Sequence, residues 1–347
     1  DPDHSLVGSE MCIRDSIEAA GLPPGVFNVI PAGRETGDYL IRHPGIDKIA
    51  FTGSTAAGRH IGAVAAERLT RTSFELGGKS AAVILEDASV EQVLPSLVPF
   101  SMPITGQVCF SLTRVLTPES RTQEFLDAYV GAMRQVKVGD PQIAETQMGP
   151  LTMARQLDRV QGYIAKGKSE GAKLVLGGGR PDGLDRGYFL EPTVFADVDS
   201  KMTIAQEEIF GPVVSFISYK DLDDAATKAN DTIYGLHGAV YSADPEAGYA
   251  MARRMRSGSI TVNGMIVGIS SPYSQRGLVY HRHKTYFGGS DPDILIVRGD
   301  TWTFNPPMDQ AVIDKAMKED PESAASEWMA EFRSDLSAFV DREVVEN

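Results

Sequence analysis

Lys48-Ile49-Ala50-Phe51-Thr52-Gly53-Ser54-Thr55-Ala56-Ala57-Gly58 is the stretch on which the fold reading turns. Its first five residues form a compact apolar run that reads as a strand. Gly53 and Ser54 turn the chain, and a helical pattern follows out to Glu67. Strand, glycine turn and helix in that order make a unit of an α/β protein able to bind a cofactor at the turn. Glycines at 53 and 58 let a ligand approach the backbone, and the free N–H groups of a helix start favour an anionic phosphate. The spacing is not the Gly-x-Gly-x-x-Gly dinucleotide fingerprint, so an ordinary strand-to-helix turn fits the same residues.

On either side the text alternates in the same way. Gly21-Leu22-Pro23-Pro24-Gly25 is a turn ahead of an expected strand, Val26-Phe27-Asn28-Val29-Ile30. Phe125, Leu126, Tyr129, Val130, Met133 and Val136 recur at helical spacing, as do Leu157, Val160 and Ile164, so both stretches predict amphipathic helices with core-facing stripes. Val83-Ile84-Leu85, Leu174-Val175-Leu176, Val213-Val214-Ser215-Phe216 and Ala239-Val240-Tyr241 are expected strands of a second sheet. Arg114-Val115-Leu116 and Ile260-Thr261-Val262 are further strands. Asp244-Pro245 opens a helix as N-cap and first-turn proline, with Gly258 as its stop. Gly177-Gly178-Gly179 is a loop without phosphate chemistry. Gly78-Lys79-Ser80 ends like a P-loop, but Ser73 stands where the first glycine belongs, and that reading fails.

Composition bounds the function. The chain of 347 residues is 42% hydrophobic and 23% charged, a globular composition long enough for two domains. A net charge of −14 argues against binding a nucleic-acid backbone or an anionic lipid surface through bulk charge, leaving small-molecule chemistry as the expectation. No apolar run has the length of a membrane span, and the start lacks the order of a signal peptide, so a cytoplasmic protein is expected. Two cysteines, Cys12 and Cys109, make no disulfide framework and leave a thiol free for catalysis.

Two glycine-rich stretches carry chemistry: Phe74-Glu75-Leu76-Gly77-Gly78-Lys79-Ser80 and Gly106-Gln107-Val108-Cys109-Phe110-Ser111. A single free cysteine is more often a small buried apolar residue, and a single glutamate a solvated one. Flanking glycines weaken both bland readings, because they open the backbone to a substrate. Together, a thiolate nucleophile and a carboxylate base can form and then hydrolyse a thioester.

Over residues 17 to about 264 the chain resembles the aldehyde dehydrogenase superfamily. The motifs that carry the resemblance include Gly21–Val29, Phe51-Thr52-Gly53-Ser54, Glu75-Leu76-Gly77-Gly78-Lys79, Gly106-Gln107-Val108-Cys109, Met148-Gly149-Pro150-Leu151, Glu191-Pro192-Thr193-Val194, Glu207–Val213 and Tyr234-Gly235-Leu236. The resemblance implies an α/β fold, with a partial Rossmann-like cofactor domain over 17–75 and a catalytic region over 76–264. It implies oxidation of an aldehyde to a carboxylic acid with NAD or NADP. Cys109 matches the nucleophile and Glu75 the base that activates water. Gly53 and Ser54 match positions beside the cofactor pyrophosphate, with Gly58 in the same glycine turn. Leu76 falls where the backbone nears the nicotinamide, Glu208 matches the carboxylate on the nicotinamide ribose, and Phe210 the aromatic beside the ring.

The departures bring their own expectations. Residues 1–16 match nothing expected of the family there and read as a foreign leader. The family's earlier strands, its oxyanion-holding asparagine and its adenosine-ribose contacts are not found ahead of Ile17, which predicts impaired activity. The family assembles as a homo-oligomer, an expectation made doubtful here by the replaced closing strand. Residues 269–347 resemble a stretch of phage terminase large subunits, through Ser270-Ser271-Pro272-Tyr273, Thr301–Pro306 and Ala330–Glu343, and read as a small foreign α/β appendage. From Ser270 onward this tail has 14 acidic against 8 basic residues, so no DNA-binding patch is expected. His281 with His283 has no further Cys or His nearby, Asp341 with Glu343 reads as a solvated end rather than a cation site, and no metal site is expected. An inactive fusion or interaction fragment, and a cofactor-free thioesterase using Cys109 and Glu75, are the competing readings.

Overall fold

The computed structural model describes residues 15–267 together with Ile13, Asp314, Met317 and Lys318. The chain divides into two units, Asp1–Ile266 and Val267–Asn347, and the architecture below belongs to the first. Cys12 and the histidine and carboxylate pairs of the tail lie outside the described residues. The described tail positions Asp314, Met317 and Lys318 are helical.

After α1 (Arg34–Arg42) comes the stretch quoted first: β1 (Lys48–Gly53), α2 (Thr55–Glu67) and β2 (Arg71–Leu76). β1 and β2 pair in parallel, Thr52 opposite Glu75 and Gly53 opposite Leu76. Ile49, Ile61 and Ala65 form a small core between this sheet and α2, joined by Ile41, Ile46, Phe51 and Phe74. Val26–Ile30, expected as a strand, is not one. Val26, Phe27 and Ile30 are exposed, and among the described residues the small sheet has two strands, β1 and β2, so the run joins no ladder there.

The rest builds the second sheet. In chain order come β3 (Ala81–Ile84), α3 (Val90–Ser101), β4 (Arg114–Pro118), α4 (Thr122–Met133), α5 (Ala154–Ser169), β5 (Lys173–Leu176), β6 (Thr193–Ala196), β7 (Val213–Tyr219), α6 (Leu222–Asn230), β8 (His237–Tyr241), α7 (Pro245–Ala252), β9 (Ser259–Val262) and β10 (Met265–Val267). The eight strands lie in the order β10-β9-β8-β3-β4-β7-β6-β5. From β9 to β6 neighbours run parallel, and β5 is antiparallel to β6. Parallel strands need covering on both faces, which is why β3 and β4 are buried throughout and read as unbroken runs rather than alternations. On one face Val93 and Leu97 of α3 and Phe125, Tyr129 and Met133 of α4 pack on Ala82, Val115, Phe216 and Tyr241.

Local capping matches the sequence. Asp244 accepts from the Glu246 N–H at 3.0 Å, with Pro245 in the first turn of α7. α7 nevertheless ends at Ala252, well before Gly258. That glycine instead donates its N–H to the Gly235 carbonyl at 2.8 Å and leads into β9. Among the described residues no helix is long and apolar enough to cross a membrane.

Candidate active site

Both motif stretches lie where the two sheets meet. Glu75 and Leu76 close β2 at its C-terminal end, and four buried residues, Gly77 to Ser80, then carry the chain to the N-terminal end of β3. Cys109 stands just before the N-terminal end of β4, Glu208 before that of β7, and Leu236 before that of β8. The site is therefore framed by the C-terminal end of a small-sheet strand and the N-terminal ends of four large-sheet strands.

The cysteine turn is held at both ends. Ile104, Thr105 and Gly106 are consecutive left-handed residues, with φ of 48°, 59° and 71°. Only glycine fits at 106, because a Cβ there would collide with the Gly211 carbonyl and with Pro212. The Thr105 hydroxyl donates to the Gly149 carbonyl at 3.0 Å, which gives the Met148–Leu151 motif a structural task. Gln107 Oε1 accepts from the N–H and the hydroxyl of Thr152, each at 3.1 Å. Beyond Cys109, the Ser111 hydroxyl donates to the Val108 carbonyl at 2.7 Å, and the Leu112 N–H to the Phe100 carbonyl at 2.9 Å. Cys109 itself is a free, half-buried thiol. The next residue, Phe110, sets its ring edge-on to His237, centroids 6.0 Å apart at 78°.

Gly78 joins the motifs. A Cβ at Gly78 would strike the Cys109 carbonyl oxygen, and one at Gly77 would strike the Glu208 carboxylate. The Gly78 N–H donates to Glu208 Oε1 at 3.2 Å, across 130 residues of sequence. Burial raises the Glu208 carboxyl above its ordinary range, against the pull of that N–H, Arg159 and Lys79. The segment carrying Glu208 is fixed from α5: Arg159 donates to the Glu208 carbonyl at 2.6 Å, and Gln156 to the Phe210 carbonyl at 2.6 Å. Phe210 is a left-handed residue with its ring partly exposed. Glu75 is exposed three positions from Gly78, and among the described residues its carboxylate makes no hydrogen bond.

The remaining positions sort by element. Ser54 caps α2, its hydroxyl accepting from the Ala57 N–H at 3.3 Å, which leaves the first-turn N–H groups of Thr55 and Ala56 outside the helix's own bonding. Gly53 ends β1 beside them. Gly58 is buried one turn into α2, and a side chain there would strike the Leu76 δ-carbons, so its glycine answers to packing between α2 and β2.

Three residues emerged only in three dimensions. Arg114, 1% exposed, donates to the carbonyls of Lys79, Lys228 and Ala229 at 2.8, 2.8 and 2.7 Å. Lys79, 2% exposed, has no hydrogen-bond partner for its Nζ. His237 bonds the Ser259 hydroxyl through Nδ1 at 2.9 Å, and burial pushes its imidazole down. The usable signal for Lys79 was a lone cation inside the uncharged run Leu76 to Leu85; His237 and Arg114 had none of that kind.

Residues 2–275 match the model of the aldehyde dehydrogenase family. The geranial dehydrogenase of Castellaniella defragrans is 46% identical over 272 residues, covering 78% of this chain and 56% of that protein. Among solved structures, a Mycobacterium tuberculosis aldehyde dehydrogenase complexed with NAD+ is 48% identical with a TM-score of 0.70, over 73% of this chain and 52% of the other. A mutant of aldehyde dehydrogenase C from Pseudomonas syringae, in complex with NAD+ and octanal, is 40% identical with a TM-score of 0.72, over 76% and 54%. The chain spans about half the length of the relatives it matches.

Proposed function

The chain belongs to the aldehyde dehydrogenase family, and from that premise we propose that it performs the cysteine-dependent oxidation of an aldehyde to a carboxylic acid. The observation that carries the reading is the contact of Gly78 with the Cys109 carbonyl while its N–H holds Glu208. One backbone position thus gathers the nucleophile's turn and a cofactor-side carboxylate, three residues after the base.

The chemistry follows from the groups. Cys109 Sγ adds to the aldehyde carbon and forms a thiohemiacetal. When bound, NAD or NADP supplies the hydride acceptor that turns this adduct into a thioester. The Glu75 carboxylate takes a proton from water, the resulting hydroxide adds to the thioester carbon, and the C–S bond breaks to release the acid and the thiolate. Its exposed position at the end of β2 leaves Glu75 open to that water.

The residues present fit a dinucleotide. The N–H groups at the start of α2, with Gly53 and Ser54, suit its pyrophosphate. Glu208 and Phe210 would take the nicotinamide ribose and ring, and Leu76 the backbone approach beside them. Relatives complexed with NAD+ support NAD as the cofactor. A small-molecule aldehyde is the substrate, and the free Cys109 thiol suits a cytoplasmic setting. The terminase-like stretch takes no part in the reading.

The test is aldehyde-dependent growth of NADH absorbance by the full chain. Cys109→Ala should abolish it, and Glu75→Gln should leave a single burst of NADH without sustained turnover. Turnover by Cys109→Ala at the rate of the unsubstituted chain would sink the proposal.

A further inference from the structure

Lys79 is an anomaly among the described residues. Its side chain is buried between the glycine pair and β3, and its Nζ reaches no acceptor. A buried cation with no partner is among the costlier arrangements a fold can hold, so either the charge or the solitude must give way. Both outcomes are built in. Lys79 lines a small cavity of about 10 Å³, the room of one water molecule, together with Arg114, Thr232, Tyr234, His237 and Ser257. Hydroxyl and imidazole groups in that wall supply the two to four polar partners a trapped water needs. Tyr234, Gly235 and Ser257 also line an open cleft of about 440 Å³, so the two cavities share part of a wall. Neither cavity is lined by Cys109 or Glu75.

We propose that this cavity is a built site for one water molecule and one exchangeable proton, both held by the Lys79 amine. Proton uptake forms an N–H bond from the nitrogen lone pair and breaks none within the protein. The water bridges Nζ to the cavity wall in either state.

The charged and titratable groups around Lys79 decide where it titrates. Arg114 on β4 opposes a proton there, whereas Glu208 and Glu207, ahead of β7, favour one. Tyr234 and His237 complete the wall from the β8 side, the imidazole held toward its neutral form by burial. Burial outweighs the two carboxylates and brings the amine from 10.5 down to about 7. Lys79 therefore changes charge near neutrality, one residue from the Gly78 N–H that holds Glu208. The site stands apart from the proposed oxidation, because its readout is a titration rather than turnover.

The experiment is a pH titration of the full chain carrying 13C-labelled lysine, following the Cε resonances by NMR. One resonance should shift with a midpoint near 7 and be absent from Lys79→Met. Glu208→Gln, which keeps an acceptor for the Gly78 N–H, should lower that midpoint. A spectrum in which every lysine stays protonated through pH 9 overturns the proposal, as does a midpoint indifferent to Glu208→Gln. Should Lys79→Met fail to fold, the wild-type titration and the Glu208→Gln shift still decide it. Stability supplies a second readout. Between about 7 and 10.5 the unfolded chain holds this proton more tightly than the folded one, so folding stability should rise with pH across that interval. Lys79→Met should lack that rise, and an identical pH dependence in both chains refutes the site.

Discussion

Replacing Gly78 by alanine is expected to disturb the cysteine turn without touching any reacting group. Gly78 is not left-handed, so alanine meets no backbone penalty, and the whole effect lies in one contact. Its new Cβ would meet the Leu236 Cβ at 3.5 Å, an ordinary distance, but would run into the Cys109 carbonyl oxygen. A main-chain oxygen cannot swing aside as a side-chain tip does. The turn that carries it is also tied by the Leu112 and Ser111 hydrogen bonds. Overpacking of this kind costs about 1–3 kcal/mol. Alanine's stiffer unfolded chain offsets roughly 0.4–1 kcal/mol of it, leaving a net loss of roughly 0–2.6 kcal/mol, about 1.3 kcal/mol at the midpoints. Relief requires the turn to retreat by on the order of 1 Å, a misplacement that can lower turnover about 100-fold. Urea unfolding gives the first quantity, and iodoacetamide alkylation of Cys109 in a Cys12→Ser background reports the thiol's new setting. Gly131→Ala on α4 is the matched control: nothing lies within 4 Å of its added Cβ, and a gain of about 0.5–1 kcal/mol is expected. Unchanged stability together with an unchanged alkylation rate in Gly78→Ala would show that the Gly78–Cys109 contact does not hold the site.

Arg114→Lys should cost at least about 3 kcal/mol, because an ammonium cannot span three separate carbonyls and each charge-assisted bond contributes about 1.5–3 kcal/mol. A urea midpoint within experimental error of the parent's would refute it. Ile104→Asn should raise stability by about 1 kcal/mol, since a branched side chain held left-handed at φ 48° and 76% exposed carries strain that asparagine tolerates better. Thermal unfolding decides, and a lowered midpoint counts against strain at that turn.

The features legible in the sequence are local. Lys48–Thr52 declared β1 through its apolar run, Asp244-Pro245 declared the start of α7, and Phe125 to Met133 declared the buried stripe of α4, because each pattern lies within one element. Val26–Ile30 showed the limit of that reading. It has the composition of a strand, but pairing requires a neighbour, and the two-stranded sheet does not extend to it.

The sequence alone marked the candidates for chemistry: a thiol and a carboxylate in glycine-rich stretches, and a glycine turn opening a helix. Packing of the two sheets sets the cysteine turn against the glycine pair. Gly78 touches Cys109 and bonds Glu208 across 130 residues because the end of β2 abuts the starts of the large-sheet strands. No local pattern encodes a contact at that separation. The solitude of Lys79 was hidden for the same reason, since the wall around it comes from β4, β8 and the segments beside them, and desolvation is a property of what surrounds a group rather than of the group itself.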